Sequence, residues 1–351
     1  MKIFIRNALT VLLIALPAII IISIFYILKG TSDPSDSRKS EEPKYYLGVS
    51  GYIPPNFPKQ SIADIQKYWE TLPSYANLYG IHVNWKDKDT ISNLSNATQQ
   101  PKEILLGYQD PSDWIGKKDD LKKQIDLIIK DHSNIKYLGI GNEINIIQLS
   151  EDHDISELYT VLDEMTQYVK RKNKDIKVFT TIQYDALRGD GYLMGDSDKR
   201  SFNLKLVHEV EKHVDFVAFT VFPYFDYKDP KDIPSSYLTD LALYTDKSFA
   251  ITETAWPTRK QFGGKLKTLT EQGYSWSENE QLEYMKILKS FIEKSSTYIE
   301  FVNWLYMNDI TDWKDGDSPT SNELFETVGF RYNNGEEKKG SSFWYRWVNN
   351  L

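Results

Sequence analysis

The chain has no cysteine among its 351 residues. That excludes disulfides, thiol nucleophiles and cysteine-ligated metals. Histidine is scarce: His82, His132, His153, His208 and His213 are the full set. They show no H-E-x-x-H or comparable ligand spacing, so no metal centre is expected. The acidic run Asp309, Asp312, Asp315 and Asp317 misses calcium-loop spacing and reads as a solvated loop. A glycine-rich nucleotide loop is also lacking. Gly139-Ile-Gly141 is a bare G-x-G, with Ile144 where a third glycine would stand. No cofactor is implied by any of these features, and no internal repeat or low-complexity tract interrupts the chain.

The first thirty residues differ from the rest. Ala8 to Leu28 is a 21-residue stretch without charge, preceded by Lys2 and Arg6 and followed by Lys29. It is long enough for one transmembrane helix. Gly30-Thr31-Ser32 makes a poor cleavage site, so residues 1–30 read as an uncleaved signal anchor with the amino terminus cytoplasmic. The chain is therefore expected at the cell membrane, single-pass, with its main domain outside; cleavage would instead secrete it. Residues 31–43 form a polar linker containing Ser and Pro. Removing residues 1–30 takes away three bases and no acid, which leaves 39 basic against 50 acidic residues and a net charge of −11. Such a surface argues against nucleic acid as a partner. A domain without disulfides needs a large core, and residues 44–351 are enough for one; it is expected to be a monomer.

Beyond the linker, short apolar runs alternate with longer amphipathic stretches. Strands are predicted at 45–50, 76–83, 103–108, 135–142, 176–183, 214–222, 248–252 and 299–306. Several are continuous β-branched and aromatic runs, as strands covered on both faces require. Helical spacing is clearest at 62–72, 114–130, 155–172, 278–294 and 341–348, with Ser277 as an N-cap. Eight strands alternating with helices over about 300 residues predict an α/β fold, a (β/α)₈ TIM barrel.

Two of these strands end in glutamate: Tyr137-Leu-Gly-Ile-Gly-Asn-Glu143 and Phe249-Ala-Ile-Thr-Glu253. A carboxylate at a buried strand end is costly unless something pairs with it or uses it. In a (β/α)₈ barrel, chemistry gathers at the carboxyl ends of the strands, and these glutamates end the fourth and the seventh. Two carboxyls about 5 Å apart are what a retaining glycosidase needs. Tryptophan (9) and tyrosine (23) are plentiful, and their planes stack on the apolar faces of sugar rings.

Asn142-Glu143 after strand four and Glu253 after strand seven resemble the signature of the clan of retaining (β/α)₈ glycoside hydrolases, clan A. Ile251-Thr-Glu-Thr-Ala-Trp-Pro-Thr258 is similar to the nucleophile segment of β-1,3-glucanases, and Phe219-Thr-Val-Phe-Pro-Tyr-Phe225 to their strand-six segment. Arabinogalactan endo-β-1,4-galactanases carry similar motifs, and the two groups are not separable on these residues. The resemblance implies a β-linked polysaccharide as substrate and a double displacement, with Glu143 the acid/base and Glu253 the nucleophile. It further implies that Asn142 bonds the sugar 2-hydroxyl and that Tyr224 donates to the nucleophile. Trp304 and Trp256 become candidate sugar contacts. Where many clan members carry a strand-two arginine, this chain reads Asn77-Leu-Tyr-Gly-Ile-His-Val-Asn-Trp85, so His82 or Asn84 could fill the space. Trp85, Tyr108, Trp114, Tyr184 and Trp313 follow strands and could form outer subsites. The rivals are a non-catalytic carbohydrate-binding barrel and a glucan transglycosylase using the same residues.

Overall fold

Continuous apolar runs become parallel strands in the computed structural model. It describes residues 44–52, 70, 74–84, 101–107, 116–146, 156–188, 204–261, 267–295, 298–310 and 323–351. The expected anchor and linker lie outside the described residues, as do Trp85, Tyr108, Trp114, Trp313 and all but Glu70 of the expected helix at 62–72. Among the described residues no helix is long and apolar enough to cross a membrane.

Eight strands close a barrel in chain order: β1 Tyr46–Tyr52, β2 Leu78–Asn84, β3 Glu103–Gly107, β4 Tyr137–Ile140, β5 Lys177–Gln183, β6 Phe216–Val221, β7 Phe249–Thr254 and β8 Ile299–Leu305. Every neighbouring pair is parallel, and β1 meets β8 with Tyr46 opposite Phe301 and Val49 opposite Trp304. Each predicted strand is present, within a few residues of its expected limits. The longer helices match the expected segments: α1 Lys118–Asp131, α2 Ser156–Lys172, α3 Glu278–Lys294 and α4 Lys339–Val348. Short helices at Tyr184–Arg188, Leu204–Val210 and Lys267–Glu271 were not expected. Each is only a turn or two, too short for a 3.6-residue period to register.

The strands carry apolar residues on both faces because each face meets its own core. Inside the barrel, Tyr46, Leu78, Leu105, Tyr137, Phe179, Phe216, Ala218, Ala250 and Phe301 form one cluster. Outside, the helices bury stripes such as Leu158, Val161, Leu162, Met165 and Val169 of α2 against the strand backs. The amino-terminal end of the barrel is tied by Glu300, which accepts from Lys177 Nζ at 2.6 Å and Ser248 Oγ at 2.8 Å. Toward the carboxyl ends the interior turns polar, and that change positions the site.

Candidate active site

Glu143 follows β4 through a backbone that few side chains tolerate. Gly141 has φ 92° and Glu143 itself φ 49°, the left-handed region. For a non-glycine residue this costs about 1–2 kcal/mol unless the surroundings enforce it. Thr181 of β5 supplies the enforcement. Its Oγ1 accepts from the Glu143 N–H at 2.6 Å and donates to Asn142 Oδ1 at 2.9 Å. One hydroxyl thus fixes both Asn142 and the backbone of Glu143. The Glu143 side chain reaches across to β6, where Thr220 Oγ1 donates to its Oε1 at 2.7 Å.

Glu253 sits within β7, 7% exposed. A break in pairing sets its direction: Ile251 is opposite Phe219 but Glu253 is opposite Thr220, so β7 carries an extra residue there. Such a bulge shifts the alternation of faces. Ala250 points into the barrel and Thr254 lies outside it, hydrogen-bonded to Tyr284 of α3 at 2.5 Å. Glu253 consequently joins the interior. Its Oε1 lies 2.7 Å from His82 Nδ1. Thr220, opposite Glu253 in the ladder, also holds Glu143, so the two glutamates meet over one threonine.

Their surroundings have distinct electrostatic consequences. Burial, then the nearby charge of Glu253, pushes the Glu143 carboxyl up to about 7; the Thr220 hydrogen bond and His82 oppose this. His82 is buried, which alone would lower its pKa. Glu253 first, then Glu103 and Glu143, outweigh the burial and raise it above the usual histidine range. Below His82 lies Glu103, fully buried at the start of β3, with Oε1 3.9 Å from His82 Nε2 and Oε2 accepting from Asn303 Nδ2 at 2.8 Å. Burial pushes Glu103 up to about 7 as well, against the pull of His82 and Asn303.

Glu143, Glu253, Asn142 and His82 come together at the carboxyl end of the barrel, with Tyr224 near enough to feel the charges of both glutamates; Trp304 and Trp256 do not join them. Trp304 is fully buried behind β8, stacked on Phe330 at 5.5 Å, with Nε1 donating to the Val328 carbonyl at 2.8 Å. Its place as a sugar platform is therefore corrected: alternation along β8 sends Phe301 and Asn303 inward and Trp304 outward. Trp256 is likewise fully buried, packed edge-on to Trp276 and tilted against Tyr284, and lines no cleft. Tyr224 is buried too, and its hydroxyl makes no hydrogen bond among the described residues. The group touching Glu253 is His82 instead. Tyr184, an outer-subsite candidate, is buried with its hydroxyl donating to the Tyr237 carbonyl at 2.5 Å.

Four residues at the site escaped the sequence reading: Glu103, Thr181, Thr220 and Asn303. Each interrupts an apolar strand with a polar group, a signal that could have flagged Glu103 and Asn303. Which strand each would face was not readable.

No family model matches this sequence, and no curated protein matches it. Solved structures do match in fold. A family GH2 β-galacturonidase from Eisenbergiella tayi superposes with a TM-score of 0.56 at 14% identity, over 88% of this chain and 51% of that one. A β-glucuronidase from an uncultured Clostridium species gives 0.60 at 12%, over 88% and 51%. The chain thus spans about half the length of these two. A β-1,3-glucanosyltransferase from Rhizomucor miehei, solved with laminaritriose, gives 0.55 at 16%, over 85% of this chain and 96% of that one. At these identities the likeness is one of fold, a closed barrel of eight parallel strands.

Proposed function

We propose that the chain is a retaining glycosidase acting on a β-linked polysaccharide, a β-glucan or β-galactan, by double displacement. The observation that carries this reading is the pair Glu143 and Glu253, which meet at Thr220, the first hydrogen-bonded to that threonine and the second set against His82. Glu143 keeps its proton toward neutral pH, as a general acid must. Glu253 is held by His82, whose raised pKa favours the imidazolium, a partner that stabilises a carboxylate nucleophile. Glu143 protonates the leaving oxygen while Glu253 attacks the anomeric carbon. The glycosyl-enzyme removes the negative charge beside Glu143, whose pKa falls, and it then takes a proton from water. Asn142, its amide oriented by Thr181, bonds the sugar 2-hydroxyl. Residues 1–30 would hold the domain to the outer face of a membrane.

A second reading, transglycosylation, is favoured by the match over 96% of a glucanosyltransferase chain. It needs the same carboxyls and a sugar as acceptor in place of water.

The test uses the full chain and its Glu253→Gln variant on soluble β-glucans, galactans and mannans. Reducing ends released by the unmodified chain alone are expected, with the loss in the variant exceeding about 10³-fold. Proton NMR of the first product should find the β-anomer; the α-anomer would mean inversion. Products longer than the substrate would favour transglycosylation. Binding without release on any polymer would leave a carbohydrate-binding barrel.

A further inference from the structure

Glu103 belongs to no step of that mechanism, yet the barrel is built around it. It is fully buried at a level where such barrels are ordinarily filled by branched apolar side chains. Gly80 keeps its space: a Cβ there would stand 2.0 Å from Glu103 Oε2. Gly48 does the same for Asn303, whose Oδ1 would lie 2.0 Å from a Cβ at that position. Asn303 in turn donates to Glu103 at 2.8 Å and fixes its carboxyl plane. The remaining oxygen of Glu103 faces His82 Nε2 from 3.9 Å, an electrostatic contact rather than a hydrogen bond. The opposite nitrogen of the same ring is 2.7 Å from Glu253. An imidazole has polar atoms on two edges and serves two carboxyls at once.

The acids facing His82 are Glu103 from β3, Glu253 from β7 and Glu143 beyond β4. Their roles in a double displacement differ. Glu143 trades its proton, and Glu253 loses its charge when the glycosyl ester forms. Glu103 takes part in neither exchange.

We propose that Glu103 is a positioning residue that acts through His82, holding the imidazole cationic with its Nδ1 edge against Glu253. This rests on the reading of Glu253 as nucleophile. In the free enzyme, the cation lies against Glu253 and holds the side chain in place for attack. In the glycosyl-enzyme, Glu253 is an uncharged ester, and a buried cation deprived of its nearest counter-charge holds its proton less firmly. Burial and the Glu253 charge together hold Glu103 up to about 7; once the ester removes that charge Glu103 ionises more readily and balances the cation, which is still in place when water releases the sugar and the carboxylate re-forms. No bond to Glu103 is made or broken.

The experiment uses the full chain carrying ¹⁵N-labelled histidine, beside Glu103→Gln, which keeps the side-chain shape. The His82 signal, identified by its loss in His82→Asn, is followed by NMR through a pH titration. In the unmodified chain the ring should stay cationic past the ordinary histidine value of about 6.5. In Glu103→Gln its midpoint should fall by about one pH unit, with kcat on the cleaved polymer down about 10- to 100-fold and KM within about twofold. A His82 that turns neutral at or below the ordinary value in the unmodified chain overturns the proposal, whether or not the variant folds. So does a midpoint unmoved in a folded Glu103→Gln chain. The expected titration without cleavage of any polymer would support the Glu103–His82 pairing and sink the nucleophile reading.

Discussion

Glu143 shows how one side chain's surroundings translate into a measurable profile. Its carboxyl is pushed up to about 7 by burial and by Glu253. In the proposed mechanism the protonated form is the acid, so kcat/KM should hold below that value and fall as pH rises through it. A pH–rate profile checks this; a basic limb lying two units higher would remove Glu143 as the acid. Trp304 makes the opposite point, since it looked functional and is packing. Trp304→Leu should lower stability by about 2–4 kcal/mol in denaturant unfolding and leave KM unchanged. A large rise in KM with unchanged stability would return Trp304 to the cleft.

At the scale of elements, the polar tier of the barrel depends on strands that leave room for it. Gly80 lies in β2 beside Glu103 on β3, with no space for a methyl group. Gly80→Ala should cost about 1–3 kcal/mol through overpacking and should disturb activity, because the displaced carboxyl is the one beneath His82. Chemical denaturation and kinetics on the same sample would test both; an alanine tolerated without loss in either would mean that the tier rearranges freely. The bulge in β7 is the other deciding element. Continued alternation from Ala250 would have carried Glu253 to the helix side and Thr254 to the interior. The extra residue reverses this, and the strand presents a carboxylate to the barrel while giving Thr254 to α3.

Across the molecule, several acids are held above their ordinary pKa by burial, Glu103 and Glu143 up to about 7 and Asp309 up to about 6. The folded state therefore binds more protons than the unfolded one between about pH 4.5 and 7. Stability from these groups is fully present below their unfolded values and is lost as pH rises through the folded ones. His82, also raised, adds to this with the same sign. Thermal melts should accordingly show a midpoint that falls from pH 5 to pH 8, with a smaller fall in Glu103→Gln. A midpoint that rises over this range would contradict the sign.

The barrel is legible in the order of residue types alone, because strands covered on both faces must be apolar throughout and helices between them must be apolar on one side. Glu143 and Glu253 are legible there as candidates, since a carboxylate ending a buried strand stands out against apolar neighbours. Asn142 and His82 were legible only through the motifs around them. What a strand-end residue faces was left to the tertiary structure. Trp304 and Asn303 are adjacent in one apolar run, and barrel pairing alone sends one outward to Phe330 and the other inward to Glu103. The turn of Glu253 toward His82 comes from a bulge formed between two strands, and the Glu103–His82–Glu253 row joins residues from three. Such contacts depend on register and closure, which no local pattern of residue types records.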